Sequence, residues 1–373
     1  MRKALVVGGG IGGLSAAMAL KQADVDVDLV EISQGRAVYH VGIIVQANFI
    51  RALDRLGVAD AAIAMGFPYD GFDLCGVDGQ RLVHIPGVSL SRDGHPTDLG
   101  LSRPALHEIL TEGCKRSGVM PRYGVTFDNI HQDAEGVDVS FTDGTAGRYD
   151  MVIGADGLFS KVRTSLFGAD LKPQFTGQAV WRYNLPRPKD VTRTALYQGA
   201  SGGKAGYCPL TEDTMYLLLV MREPGNPWIK KEHLASAFKD RLRPFGGRVG
   251  EIRDTVDFDP DLIVYRPLEA HFVQAPWHRG RVMLIGDAAH ATTPHLGQGA
   301  AQAVEDAVTL GDVARQAKDP EEIARLFMAR RYERCRFIWE SSIQVGKWEM
   351  ADDLDADVAA LSHRVLETVS APL

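Results

Sequence analysis

Three short segments carry residue types whose spacing could do chemistry. The first is Gly8-Gly9-Gly10-Ile11-Gly12-Gly13, in which Gly8, Gly10 and Gly13 form G-x-G-x-x-G. It follows the apolar run Ala4 to Val7 and opens an alanine- and leucine-rich stretch, and Glu31 stands 18 positions beyond Gly13. In that context Gly8 allows a tight turn, Gly10 the close approach of a pyrophosphate, and Gly13 close packing of helix on strand. The helix N-terminus offers free N–H groups and partial positive charge to phosphates. A dinucleotide is expected here, against Gly8, Gly10, Ile11, Gly13, Glu31 and Ile32, with the Glu31 carboxylate accepting from ribose hydroxyls.

NAD and FAD share such a half-site, so the choice rests on the second segment, Arg281 to Gly299. Its apolar strand ends at Gly286-Asp287, and a carboxylate at a strand's C-terminal end suits a polyol. FAD has one, its ribityl chain; nicotinamide dinucleotides have none between pyrophosphate and reactive ring. The turn Pro294-His295-Leu296-Gly297-Gln298-Gly299-Ala300 opens a second helix, whose amides would face the flavin N1–C2=O edge, where reduced flavin is negative.

The third segment is Asp150-Met-Val-Ile-Gly-Ala-Asp156-Gly157-Leu-Phe-Ser160-Lys-Val-Arg163. With all three in this order, roughly residues 1–345 resemble the single-component FAD-dependent aromatic hydroxylases, the group A flavoprotein monooxygenases. The resemblance implies that Asp287 binds the ribityl chain, that Gly297, Gly299 and Ala300 meet the flavin, and that Arg103 lies near the FAD phosphates. It gives Asp156 the domain junction and an influence on nicotinamide use. Trp181-Arg182 matches the aromatic–arginine pair that begins the substrate sheet. His40-Val41-Gly42-Ile43 departs from the family's small Gly-Ala-Gly-Ile segment, which gives a bulkier flavin-side wall and a conceivable substrate-facing role for His40. No separate nicotinamide-binding βαβ unit is found, as in the family, where NADH or NADPH binds transiently.

The chemistry implied is reduction of FAD by NAD(P)H, O₂ addition to give the flavin C4a-hydroperoxide, and oxygen transfer to a small phenol, benzoate or pyridine-type ring. Water must be kept away. By the resemblance, Pro294 offers its carbonyl near the C4a–N5 edge and Tyr207 lies over the flavin. Tyr183, Tyr207 and Arg182 are expected against substrate, and Tyr183, Tyr207 and His40 are candidates for activating a phenol. Of six aromatics in the insert (Trp181, Tyr183, Tyr197, Tyr207, Tyr216 and Phe272), about two should face substrate. His290 and His295 are five apart around a proline, wrong for two ligands on one helical turn, so no metal is expected. No G-x-S-x-G elbow follows a strand. Epoxidation, decarboxylative hydroxylation and halogenation on the same scaffold stay open. A non-catalytic flavin-fold escort protein would need neither Asp287 nor Gly297 to Gly299.

These residues need strands and helices to hold them. The pattern reads as an α/β fold with an α+β insert: a Rossmann-like FAD-binding domain with a parallel sheet, and an inserted, mainly antiparallel substrate domain. The FAD-binding parts are 1–70, 100–172 and 274–345, the substrate parts 71–99 and 173–273, and 346–373 is a C-terminal helical segment. Ser102 is a plausible N-cap for a helix to Ser117, with Gly118 past its end. Charge and composition agree: 41 Lys+Arg against 48 Asp+Glu give −7 over 373 residues, which argues against nucleic-acid binding. The 45% hydrophobic content excludes a largely disordered chain. Glycine, 39 residues or about 10%, exceeds its usual share of roughly 7%. Cys75, Cys114, Cys208 and Cys335, 39, 94 and 127 positions apart, read as thiols rather than a disulfide framework or zinc site. Met1 to Val7 leaves no room for a signal peptide, and Met215 to Met221 falls far short of the roughly 20 residues needed to cross a bilayer. A soluble, cytoplasmic monomer or homodimer is expected, binding no membrane.

Overall fold

The computed structural model describes residues 1–35, 41–200, 202–274, 276–353 and 355–373. Its central sheet is built from apolar runs too short and too uniformly apolar for amphipathic helices. The order is His278–Arg279, Val282–Leu284, Met151–Gly154, Lys3–Val7, Asp26–Glu31, Arg122–Tyr123, and all neighbours but the first pair are parallel. Register aligns the carboxyl ends of four strands. Val7 lies opposite Val30 and Gly154, and Gly154 opposite Leu284. Gly8, Asp156 and Asp287 therefore all follow within three residues of one shared edge.

Helices Ile11–Lys21 and Gly299–Gln316 pack together over this sheet. A Cβ at Gly311 would lie 2.7 Å from the Ala19 carbonyl oxygen, so only glycine allows that approach. Ser102 caps helix Arg103–Arg116, its side chain accepting from the Ala105 N–H at 3.2 Å, and Gly118 beyond its end has φ +87°.

The second domain is a seven-stranded sheet, ordered Val264–Ala270, Gln174–Pro186, Thr214–Arg222, Gly203–Pro209, Thr194–Ala200, Phe72–Cys75, Arg81–Ile85. One face packs under helices Leu234–Leu242 and Gly247–Thr255, the latter unread in the sequence. The other turns to the cofactor domain across a small sheet of Phe67–Tyr69, Asp98–Ser102 and Gly42–Gln46. The 345/346 boundary falls inside one continuous helix, Pro320–Ala351, which Val358–Ser370 follows.

Candidate active site

The glycine loop is shaped for phosphate. Gly8 has φ +110°, and a Cβ there would stand 2.4 Å from the Ala155 carbonyl oxygen; one at Gly13 would stand 1.8 Å from the Gly8 oxygen. These two glycines serve packing. At Gly10 nothing lies within 4 Å, and the helix that begins at Ile11 has no side-chain cap, so its first N–H groups stay open. Beside it is a cavity of about 230 Å³, lined in part by Gly8, Gly10, Glu31, Ile32 and Asp156. Glu31 already accepts from Gly9 N–H at 2.6 Å and Ser33 N–H at 2.8 Å, which fixes its carboxylate at the rim. Asp156 accepts from Ser160 Oγ at 2.5 Å and Val162 N–H at 3.0 Å, so it caps the following helix while lining the cavity. Burial raises its carboxyl above the ordinary range, against those hydrogen bonds.

Asp287 reaches the same crevice. A Cβ at Gly12 would lie 3.5 Å from the Ala303 Cβ, and one at Gly286 3.0 Å from the same atom, so one alanine separates the two turns. Asp287 is open to solvent on one side, and its carboxylate makes no hydrogen bond among the described residues. Crowding by protein raises its carboxyl, with His290 and then Arg103 pulling the other way. Arg103 is largely enclosed, and its Nε has no hydrogen-bond partner in the described structure. Behind the turn, buried Asp306 accepts from Gly286 N–H at 2.8 Å and Arg331 Nε at 2.7 Å, and meets His290 Nε2 at 2.7 Å. His290, Asp306 and Cys335 bring ligand atoms within 4.8 Å of one another, but the Arg331 guanidinium already supplies the cation there. Pro294 opens the turn Pro294–Leu296, and its carbonyl accepts from Gly297 N–H at 3.0 Å, leaving one lone pair. Gly297 sits at φ +68° with Gln46 beside it; Gly299 and Ala300 begin the helix. An open cradle at Gly10, an unpartnered carboxylate at Asp287 and an orphaned Arg103 Nε together fit a dinucleotide with a polyol arm.

The large sheet divides its side chains by parity. Tyr183, Leu217 and Tyr207 lie in one cross-strand row, facing the helices with Trp181, Tyr197 and Phe238. Tyr207 pairs with Tyr197, ring centroids 6.1 Å apart, and Tyr183 packs on Phe258 at 5.0 Å. Tyr183 and Tyr207, expected against substrate, thus lie on the helix-covered side of the sheet, Tyr183 buried and Tyr207 half-buried. Arg182 lies on the opposite face, which turns to the first domain, with Tyr216 and Leu218 from the neighbouring strand. A Cβ at Gly42 would fall 2.1 Å from the Tyr216 ring, so this glycine lets the ring seat against the small sheet. Of the six aromatics only Tyr216 is on this side; Phe272 packs with Trp277, Tyr332 and Trp339. His40 lies outside the described residues.

The electrostatics of this side are unusual. Burial, then Arg103, lowers the Arg182 guanidinium to about 10. Burial also raises the Tyr216 hydroxyl above its ordinary range, although Arg182 and Arg103 oppose it. Neither side chain has a hydrogen-bond partner among the described residues. His107 is a further site residue that the sequence reading passed over: its Nε2 is 2.9 Å from the Gly9 oxygen and tethers the glycine loop. The signal was available, since His107 follows Arg103 by one helical turn and shares its face.

Comparison with known proteins matches residues 1–314 to the family described as FAD binding domain. The 2-heptyl-3-hydroxy-4(1H)-quinolone synthase of Pseudomonas aeruginosa is 32% identical over 356 residues, covering 92% of this chain and 90% of that protein. The FAD-dependent urate hydroxylase of Klebsiella pneumoniae is 30% identical over 348 residues, covering 90% and 87%. The crystal structure of Klebsiella pneumoniae HpxO complexed with FAD and uric acid superposes with a TM-score of 0.87 at 26% identity, over 100% of this chain and 97% of that one. Among the described residues no helix is long and apolar enough to cross a membrane.

Proposed function

The chain belongs to the FAD-dependent monooxygenases, and from that premise we propose that it hydroxylates a small electron-rich aromatic or heteroaromatic ring, taking electrons from NADH or NADPH and oxygen from O₂. The observation that carries the reading is the shared strand edge, which sets the Gly10 cradle and the Asp287 turn in one crevice opposite the Arg182–Tyr216 side of the second domain.

FAD, when bound, supplies the hydride acceptance and the O₂ activation. The open N–H groups around Gly10 and Ile11 hold the diphosphate, Glu31 and Ile32 bound the adenosine end, and Asp287 accepts from the ribityl hydroxyls. Gly297, Gly299 and Ala300 present amides to the flavin. Two guanidinium groups, Arg103 and Arg182, draw electron-rich or anionic groups into the cleft. Tyr216, whose hydroxyl is held protonated by burial, donates a hydrogen bond there and orients the ring. The apolar cluster of Tyr69, Cys208, Leu210 and Leu218 keeps water from the reacting atoms. The four cysteines are buried thiols, which supports a cytoplasmic location.

The test is NADH and NADPH oxidation by the FAD-loaded protein across a panel of phenols, benzoates and hydroxypyridines, with products analysed. Substrate-stimulated turnover with a hydroxylated product is expected. Protein that takes up FAD but shows no stimulation across the panel would overturn the substrate class.

A further inference from the structure

The C-terminal part of helix Pro320–Ala351 runs directly behind the turn that bears Pro294 and Gly297. Its residues meet that segment at successive turns. Trp339 Nε1 donates to the Ala291 oxygen at 3.0 Å, and Ser342 Oγ donates to the Thr293 oxygen at 2.8 Å while Thr293 Oγ1 lies 2.9 Å from it. One turn further on, a Cβ at Gly346 would stand 2.8 Å from His295 Cε1, so glycine alone leaves room for that ring. Spacings of three, four and three put Trp339, Ser342, Gly346 and Glu349 on one helical face.

Glu349 closes the series with a ring of four side chains drawn from four separate elements. Its Oε1 accepts from Lys204 Nζ at 2.7 Å, and its Oε2 lies 3.2 Å from His295 Nε2. Gln178 joins both, its Oε1 3.0 Å from His295 Nε2 and its Nε2 3.4 Å from Glu349 Oε2. Lys204 Nζ also lies 3.5 Å from the His295 backbone oxygen. Gln178 and the His295 side chain are wholly buried, and Lys204 is 8% exposed. Gln178 and Lys204 share strand parity with Arg182, so the ring stands at the margin of the cofactor-facing side.

We propose that Glu349 is a positioning residue for the flavin: through Lys204 and His295 it clasps the Pro294–Gly297 turn to the C-terminal helix and thereby sets where that turn's amides stand. The proposal rests on the reading of this turn as the flavin-binding one. Its charge balance is closed. Burial works against the Glu349 carboxylate, but Lys204 and then His295 carry it down to about 2, so it stays ionised opposite the ammonium. Burial and Lys204 lower His295, which is then neutral and donates from Nε2. Glu349→Gln leaves a buried ammonium without a counter-charge, the most disruptive kind of single loss. The double variant Glu349→Gln/Lys204→Met removes both charges together.

The experiment titrates FAD into the full chain stripped of cofactor, following flavin fluorescence, and measures H₂O₂ released per NAD(P)H consumed by the reloaded protein. Glu349→Gln should bind FAD at least tenfold more weakly and release a larger fraction of its electrons as H₂O₂. The double variant should recover most of the affinity. Ser342→Ala, which loses only a neutral hydroxyl, should fold normally and weaken FAD about threefold. Wild-type protein that binds FAD, with Glu349→Gln and Ser342→Ala both within twofold of it, overturns the clasp alone. Should Glu349→Gln fail to fold, the Ser342→Ala result decides in the same way. Wild-type protein that takes up no FAD overturns the reading of the turn, and the clasp with it.

Discussion

Replacing Asp287 by alanine should weaken FAD binding by about 10- to 150-fold without lowering the melting temperature of the cofactor-free protein. Asp287 begins the turn after strand Val282–Leu284, and its carboxylate has no hydrogen-bond partner among the described residues. No hydrogen bond in the free protein therefore depends on it. The crowding that raises its carboxyl, only partly offset by His290 and Arg103, makes its charge a small burden in that state. A ribityl hydroxyl donating to it forms a charge-assisted hydrogen bond worth about 1.5–3 kcal/mol. At about 1.4 kcal/mol per tenfold, that range converts to the stated loss of affinity. The assay is a fluorescence titration with FAD beside thermal melts with and without cofactor. At FAD 100-fold above Kd, wild-type protein should gain about 2.7 kcal/mol from binding, and the variant much less at the same concentration. Affinity within twofold of wild type, or a melting temperature that falls in the cofactor-free variant, would refute the assignment of a ligand-facing carboxylate.

Three further outcomes are expected. Gly13→Ala places a Cβ 1.8 Å from the Gly8 oxygen and should destabilise the protein by at least the usual overpacking cost of about 1–3 kcal/mol, whereas Gly10→Ala, whose Cβ meets nothing within 4 Å, should melt like wild type yet bind FAD at least tenfold more weakly. Equal melting temperatures for the two variants would contradict the division of labour between these glycines. Tyr216→Phe should lower kcat/KM about 2- to 10-fold, one hydrogen bond of about 0.5–1.5 kcal/mol, while Tyr207→Phe, facing the helices, leaves it unchanged; the reverse order in steady-state kinetics would put the wrong face against substrate. Burial raises the Asp98 carboxyl to about 6, against hydrogen bonds from Thr97 and Gly71. Its folded value thus exceeds the unfolded value of about 3.9, the native state binds more protons between those values, and stability falls as pH rises through that window. Asp98→Asn should remove that slope, worth at most about 3 kcal/mol, and unfolding curves of equal pH dependence from pH 4 to 7 would exclude it.

The elements that frame the crevice were legible because each signal is local. A cap at Ser102, a turn at Gly118 and the positive φ at Gly8 depend on backbone within a few residues, which the sequence displays directly. The helix Gly247–Thr255 was not, since its two glycines and its Val249 and Thr255 argue against helix and only packing on the sheet holds it. The orientation of the large sheet was hidden for a different reason. Which face of a strand meets the cleft is settled by what packs on the sheet from other parts of the chain, and a shift of one residue exchanges every side chain. Arg182 and Tyr183 are neighbours in a strand and cannot both face one cleft. Counting aromatics favoured the tyrosine side, because a sheet covered by helices gathers its aromatics there. The better guide was cost. A guanidinium in a buried strand without a carboxylate partner is expensive, and a fold bears that expense where an incoming ligand relieves it. By that reasoning Arg182 points to the face we propose for the ligand; Tyr183 lies on the other face by parity, and Tyr216 joins Arg182 once its strand is set beside it in register.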